Sequence, residues 1–165
     1  CIVAPATYQL GNLNDLDWSF DCWVYYTSVP SGSNVEYPIF TVWGGGGRTS
    51  YYFTHNSSAN LSFYYNGTFP TFSGGAISIN TWHHMAVVRV GSYIMCFVDG
   101  VLYGTPIAIG STFINSNIVD GLYVGSNPAA VGTQFFPGFI DEFRHVRGRA
   151  LFVKNFTPPT SPYTQ

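Results

Sequence analysis

Three stretches of the chain hold residues whose types and spacing could do chemistry. Thr81-Trp-His-His-Met-Ala-Val-Val-Arg-Val90 carries the adjacent histidines His83 and His84. Imidazoles side by side suit a metal ion or a proton shuttle. Gly138-Phe-Ile-Asp-Glu-Phe-Arg144 carries the adjacent acids Asp141 and Glu142. Glycoside hydrolysis uses two carboxylates facing one substrate, about 5–10 Å apart. Val42-Trp-Gly-Gly-Gly-Gly-Arg48 sets an indole and a guanidinium on either side of four glycines. Aromatic faces with a few well-placed polar groups are what hold sugars. The chain shows no Gly-x-Ser-x-Gly, no Cys-His nucleophile motif and no phosphate loop.

The elements that must position these groups follow period two, not 3.6. In Ser19-Phe-Asp-Cys-Trp-Val-Tyr25, Phe20, Cys22 and Val24 share one face, and Asp21, Trp23 and Tyr25 the other. In the histidine strand, His84, Ala86, Val88 and Val90 share one face, read as the inner one, and His83 looks the other way. Strands are expected at roughly 3–9, 17–26, 36–43, 49–54, 61–65, 121–126 and 138–146. A three-stranded meander is expected from about 83 to 109. Asn66-Gly67 and Asp99-Gly100 supply the two positive φ angles of a type I′ hairpin turn, and Gly91-Ser92 makes a similar link. No long amphipathic helix is expected. About eleven short antiparallel strands in one domain read as an all-β, two-sheet antiparallel β-sandwich. Residues 1–150 are expected to form the sandwich. The Pro-rich residues 151–165 cannot be strand interior and read as an extended segment, strapped across the domain or leading into a linker.

That frame decides the histidines and the acids. Neighbours in a strand point to opposite faces, so His83 and His84 cannot chelate one ion from one strand. A structural role is expected for both. Asp141 and Glu142 are likewise expected to face opposite ways, pairing with Arg144 or Arg89 or capping a turn, so catalysis is not expected. Asp99 has a sufficient explanation as a turn residue. Of Cys1, Cys22 and Cys96, the last two are expected as free thiols packed inside as small apolar residues.

The composition bounds the partners. Charged residues are 8% of the 165, against roughly 25% in ordinary soluble domains, and the formal net charge is −2. No basic run interleaves with the aromatics, so nucleic acid is not an expected partner. No apolar run reaches the ~18 residues of a membrane span. A surface of Asn, Ser, Thr and Tyr suits an extracellular or virion protein. The chain begins at Cys1, so it reads as a processed product or a domain cut from a longer chain.

The ordered set Trp82-His-His-Met-Ala-Val-Val-Arg89, Met95-Cys-Phe-Val-Asp-Gly-Val-Leu102, Leu122-Tyr-Val-Gly-Ser126 and Gly138-Phe-Ile-Asp-Glu-Phe-Arg144 resembles the laminin G-like, concanavalin A-like jelly-roll superfamily. Asp17-Trp-Ser-Phe-Asp-Cys-Trp-Val24 is similar to its early strand. The ending Arg149-Ala-Leu-Phe-Val-Lys-Asn-Phe-Thr-Pro-Pro-Thr-Ser-Pro-Tyr163 resembles the ending of such domains in phage structural proteins, including tail fibres. The resemblance implies a non-catalytic binding module on a virion surface, extracellular, recognising carbohydrate or a host-surface glycan receptor. The alternative it implies is a capsid or tail decoration protein acting through contacts with other virion subunits. A homo-oligomer is expected. No cofactor is required. Many relatives bind calcium through oxygen ligands at a sandwich edge, and Asp15 and Asp120 are the loop carboxylates available for that. The expected ligand surface is Trp43, Arg48, Tyr51, Tyr52, His55 and Asn56, with Tyr64 and Asn66 on the next hairpin. Asn56, Asn60, Asn66 and Asn155 each begin an Asn-x-Ser/Thr triplet; in the phage reading none is glycosylated.

Overall fold

The computed structural model describes residues 2–4, 16–30, 35–43, 49–56, 60–110, 121–128 and 134–163. Among them are twelve strands and no helix: β1 (Ile2–Ala4), β2 (Trp18–Tyr26), β3 (Glu36–Trp43), β4 (Thr49–Asn56), β5 (Leu61–Tyr65), β6 (Thr71–Phe72), β7 (Trp82–Val90), β8 (Tyr93–Val98), β9 (Val101–Leu102), β10 (Ile107–Ala108), β11 (Gly121–Val124) and β12 (Gly138–Arg147). They form two antiparallel sheets. The first runs β1-β11-β3-β4-β5-β6; the second runs β10-β8-β7-β2-β12, with β9 also on β8. The expected all-β two-sheet sandwich is the fold. The expected strand over 3–9 is described only at Ile2–Ala4.

The turn chemistry sets the hairpins. Asn66 and Gly67 have φ of 46° and 80°, and Asp99 and Gly100 have 52° and 76°. Those are the angles a two-residue I′ turn needs, and its twist matches the strands it joins.

Alternation builds the core. Trp18, Phe20, Cys22, Val24 and Tyr26 of β2 point between the sheets, against Phe40, Val42, Tyr51, Phe53 and Phe63 of the first sheet. Phe20 and Phe40 stack with centroids 4.4 Å apart. Cys22 and Cys96 are buried here and are not bridged. Burial pushes both thiols far above their usual range.

One expectation about facing is corrected. Met85 and Val87 face the inter-sheet core, while Ala86 and Val88 join Phe97, Phe152 and Phe156 on the outer side of the second sheet. His84 pairs with Trp23 in register and therefore also points outward. Both faces of β7 are apolar because residues 151–163 lie across the outer face, so hydrophobic pattern alone could not tell inner from outer. Phe152 and Phe156 stack at 3.9 Å, and His84 meets both edge-on. Phe156 N–H donates to the Gly100 carbonyl at 2.9 Å, and Leu102 N–H donates to Asn155 Oδ1 at 2.9 Å.

Asp21 anchors the far end of this strap. Its carboxylate accepts two bonds from Arg144, Nε at 3.0 Å and Nη2 at 2.9 Å, and a third from the Tyr163 hydroxyl. His84 Nε2 lies 3.2 Å away. The Arg144 guanidinium sits 3.9 Å over the Tyr163 ring, a cation–π contact. Burial alone would raise the Asp21 carboxyl, but His84, Arg144 and Tyr163 outweigh it and hold it below the usual carboxylate range.

Candidate functional site

The outer face of the first sheet is the other large surface. Alternation in β4 sends Tyr51, Phe53 and His55 inward and Tyr52 outward, and β5 does the same with Phe63 and Tyr64. Tyr52 and Tyr64 are register partners, so their rings meet directly. They stack with centroids 5.0 Å apart and planes 18° apart. Phe69, just past the Asn66-Gly67 turn, closes the group at 5.7 Å from Tyr52 and 6.3 Å from Tyr64. The result is a half-exposed aromatic platform with two phenolic hydroxyls. Thr41 and Tyr123 continue the same cross-strand row through β3 and β11.

Glu36 hydrogen-bonds to Tyr52 across this face. Burial raises the Glu36 carboxyl, and the Tyr52 bond partly offsets that. Burial also raises the Tyr52 hydroxyl, and the Glu36 charge adds to it. Tyr52 therefore stays a neutral donor. At the edge of the platform Asn56 Nδ2 donates to Ser62 Oγ at 2.8 Å, and Asn56 Oδ1 receives the Asn60 N–H at 3.3 Å. Ser62 and Thr71 hydroxyls lie 3.2 Å apart. This polar rim fixes β4, β5 and β6 together.

The expected surface residues divide accordingly. Tyr52 and Tyr64 come together, with Asn56 at the rim. Asn66 is exposed, and its φ of 46° gives it a backbone duty in the turn. Tyr51 and His55 are corrections. Both are 0% exposed and face the core, where His55 meets Tyr26 edge-on at 5.2 Å. Strand alternation, applied from Tyr52, puts them there. Trp43 ends β3, paired in register with Gly121 and Thr49. Arg48 and the four glycines lie outside the described residues, as do Asp15 and Asp120. Phe69 and Glu36 were missed. The strand expected over 36–43 and the turn before Phe69 carried the signal for both.

The histidine and acid pairs also find their places. His83 Nδ1 lies 2.7 Å from Asp99 Oδ2, and its Nε2 lies 2.9 Å from Ser78 Oγ. Asp99 Oδ1 accepts the His84 N–H at 2.9 Å. Asp99 thus does more than make a turn: it ties the β8–β9 hairpin to the start of β7. The expectation that Asp141 and Glu142 face opposite ways is corrected. A bulge between Asp141 and Arg144 gives Glu142 a φ of 51° and breaks the alternation, so both acids reach the outer side. Arg144 pairs with Asp21 instead of with either of them, and Arg89 donates to the Gly91 carbonyl at 3.1 Å. Asp141 Oδ1 does cap the bulge, accepting the Glu142 N–H at 2.8 Å. Among the described residues no three His, Cys, Asp or Glu side chains gather as a metal site.

Residues 4–153 match the Laminin_G_3 family, described as the concanavalin A-like lectin/glucanases superfamily. The chain belongs to this superfamily. No curated protein sequence matches it. Among solved structures, a Trypanosoma rangeli sialidase aligns with a TM-score of 0.58 at 14% identity, over 88% of this chain and 23% of that one. The CBM40 domain of Ruminococcus gnavus IT-sialidase, bound to α2,3 sialyllactose, aligns at 0.58 and 15% identity, over 82% and 77%. Domain 4 of AbnA, an extracellular arabinanase from Geobacillus stearothermophilus, in complex with arabinotriose, aligns at 0.57 and 15% identity, over 90% and 76%. The likeness to these structures is one of fold. This lectin/glucanase-type sandwich spans under a quarter of the sialidase chain. No helix among its described residues is long and apolar enough to cross a membrane.

Proposed function

We propose that this lectin-like sandwich is a non-catalytic glycan-binding module of a phage virion surface protein. The observation that carries the reading is the Tyr52–Tyr64 stack with Phe69 on the outer face of the first sheet. A sugar ring lays its C–H face against the ring surface that this stacked cluster leaves exposed, while the tyrosine hydroxyls and Glu36 take its hydroxyls. No charge change is required and no cofactor enters. Domains of this fold solved with sialyllactose and arabinotriose support the glycan class. The ending at 149–163 and the low-charge surface support the virion setting. A glycan array probed with the folded full chain tests it: hits that vanish in Tyr52→Ala and Tyr64→Ala are expected, and a blank array overturns it.

A second reading, decoration of a capsid or tail through protein contacts, is favoured by one observation. Tyr93, Val101, Leu102 and Val153 are all exposed, beside an apolar hollow of about 420 Å³ that Met95, Phe97 and Leu102 help to line. A symmetric interface above about 1,000 Å² in solution is its signature.

A further inference from the structure

We infer a second carbohydrate site on the opposite sheet, at Trp82, Trp23, Asp141 and Glu142, selective for neutral over anionic glycans. These four residues and the strap segment 159–162 line an open hollow of about 410 Å³, within the usual range of small-molecule sites. Nothing in the platform reading uses it.

The hollow is built by three separate features. Register places Trp82 beside Tyr25 and Trp23 beside His84 on the outer face, so the two indoles are diagonal neighbours. Trp82 keeps 43% of its surface exposed, and the aromatic row continues through Tyr25 at 5.6 Å to Phe139, 62% exposed. The β12 bulge turns Asp141 and Glu142 to the same side, with Glu142 held at a φ of 51°, a backbone conformation that non-glycine residues rarely adopt. The strap then supplies a wall, fixed where Tyr163 N–H donates to Glu142 Oε2 at 2.7 Å.

The chemistry follows from these groups. Indole faces stack on the apolar side of a pyranose. Ionised carboxylates only accept hydrogen bonds, and sugar hydroxyls donate them. Asp141 Oδ1 is used by the Glu142 N–H and Glu142 Oε2 by Tyr163, leaving Oδ2 and Oε1 to accept from a ligand. No cationic side chain is among the lining residues, so a sialylated or uronic glycan meets like charge and a neutral one does not. Both carboxylates also accept backbone N–H groups, which fixes the direction in which their remaining oxygens point.

The test is a tryptophan-fluorescence titration of the full chain. Its probes are cellotriose, maltotriose, xylotriose and arabinotriose, with lactose and 3′-sialyllactose as a matched neutral and anionic pair. Saturable change is expected for at least one neutral sugar. Trp82→Ala lowers that affinity about tenfold and Trp82→Phe, which keeps a ring, lowers it less. Lactose outbinds 3′-sialyllactose, and the gap narrows in the Asp141→Asn/Glu142→Gln pair. Trp82 is a surface residue, and an unchanged thermal midpoint checks the fold. The inference is overturned if no neutral probe changes emission up to about 10 mM, if the change survives Trp82→Ala, or if the sialylated sugar binds as well as lactose. The platform lies on the other sheet, so loss in Tyr64→Ala bears on the proposed function and loss in Trp82→Ala on this site.

Discussion

Replacing Asp21 should release the C-terminal strap. Asp21 is 2% exposed and receives Arg144 twice, Tyr163 once and His84 at 3.2 Å. Removing one partner of a buried ion pair costs about 3–5 kcal/mol, because the other charge is left unpaired. The Arg144 side chain is 31% exposed and can rehydrate, so that term falls near 3 kcal/mol. Lost bonds from Tyr163 and His84 add about 1 kcal/mol each. Asp21→Ala is therefore expected to cost about 5 kcal/mol, a large share of the roughly 5–15 kcal/mol that holds a domain. Asp21→Asn keeps the shape and one acceptor and should cost less. Urea unfolding gives the free energies, and a cycle with Arg144→Met gives the coupling, expected above about 1 kcal/mol. Chymotrypsin should cut at Phe152 and Phe156 faster in the variant. A cost under about 1 kcal/mol, or additivity in the cycle, would refute the anchoring role.

The pH dependence has two parts. The Asp21 carboxyl is depressed in the fold, so its stabilisation is complete above its unfolded value near 3.9 and is lost as pH falls further. His145 is pushed down to about 4, by burial first and by Arg147 second. It stacks on Phe20 at 4.2 Å. The unfolded chain takes up that proton near pH 6.5, so stability should decline by about 2–3 kcal/mol between pH 6.5 and 4, and His145→Phe should flatten that slope in urea titrations. Gly100→Ala should cost about 2 kcal/mol or more, since φ is +76° and the new Cβ would lie 1.9 Å from the Phe156 carbonyl oxygen; thermal unfolding measures it. Cys22 and Cys96 should resist a thiol reagent in the native protein and react once it is denatured.

The strands and hairpins were legible because period two and the two Asx-Gly turns act locally. Which side of β7 faces the core was not, since that depends on a strap some seventy residues away. The facing of Glu142 was lost to a bulge, which no alternation rule anticipates. For the site, Tyr52 and Tyr64 were legible as surface tyrosines on consecutive strands. Tyr51 and His55 lie close in sequence to the glycine-rich loop, but strand parity sets their facing and turns both to the core. The Trp23–Trp82 hollow needs the bulge and the strap together, and each is a tertiary fact. Asp21 sat in plain view on the polar side of β2, but its partners lie 63 to 142 residues away.

Glycan held on the Tyr52–Tyr64–Phe69 platform would leave a local signature in solution. The direct measurement is a two-dimensional NMR titration of the isotope-labelled chain with an array-selected oligosaccharide. Saturable shifts centred on β4, β5 and Phe69 are expected, with affinity falling about tenfold in Tyr64→Ala while the fold persists. Shifts confined to other surfaces, or binding unchanged in that variant, would contradict binding at the platform.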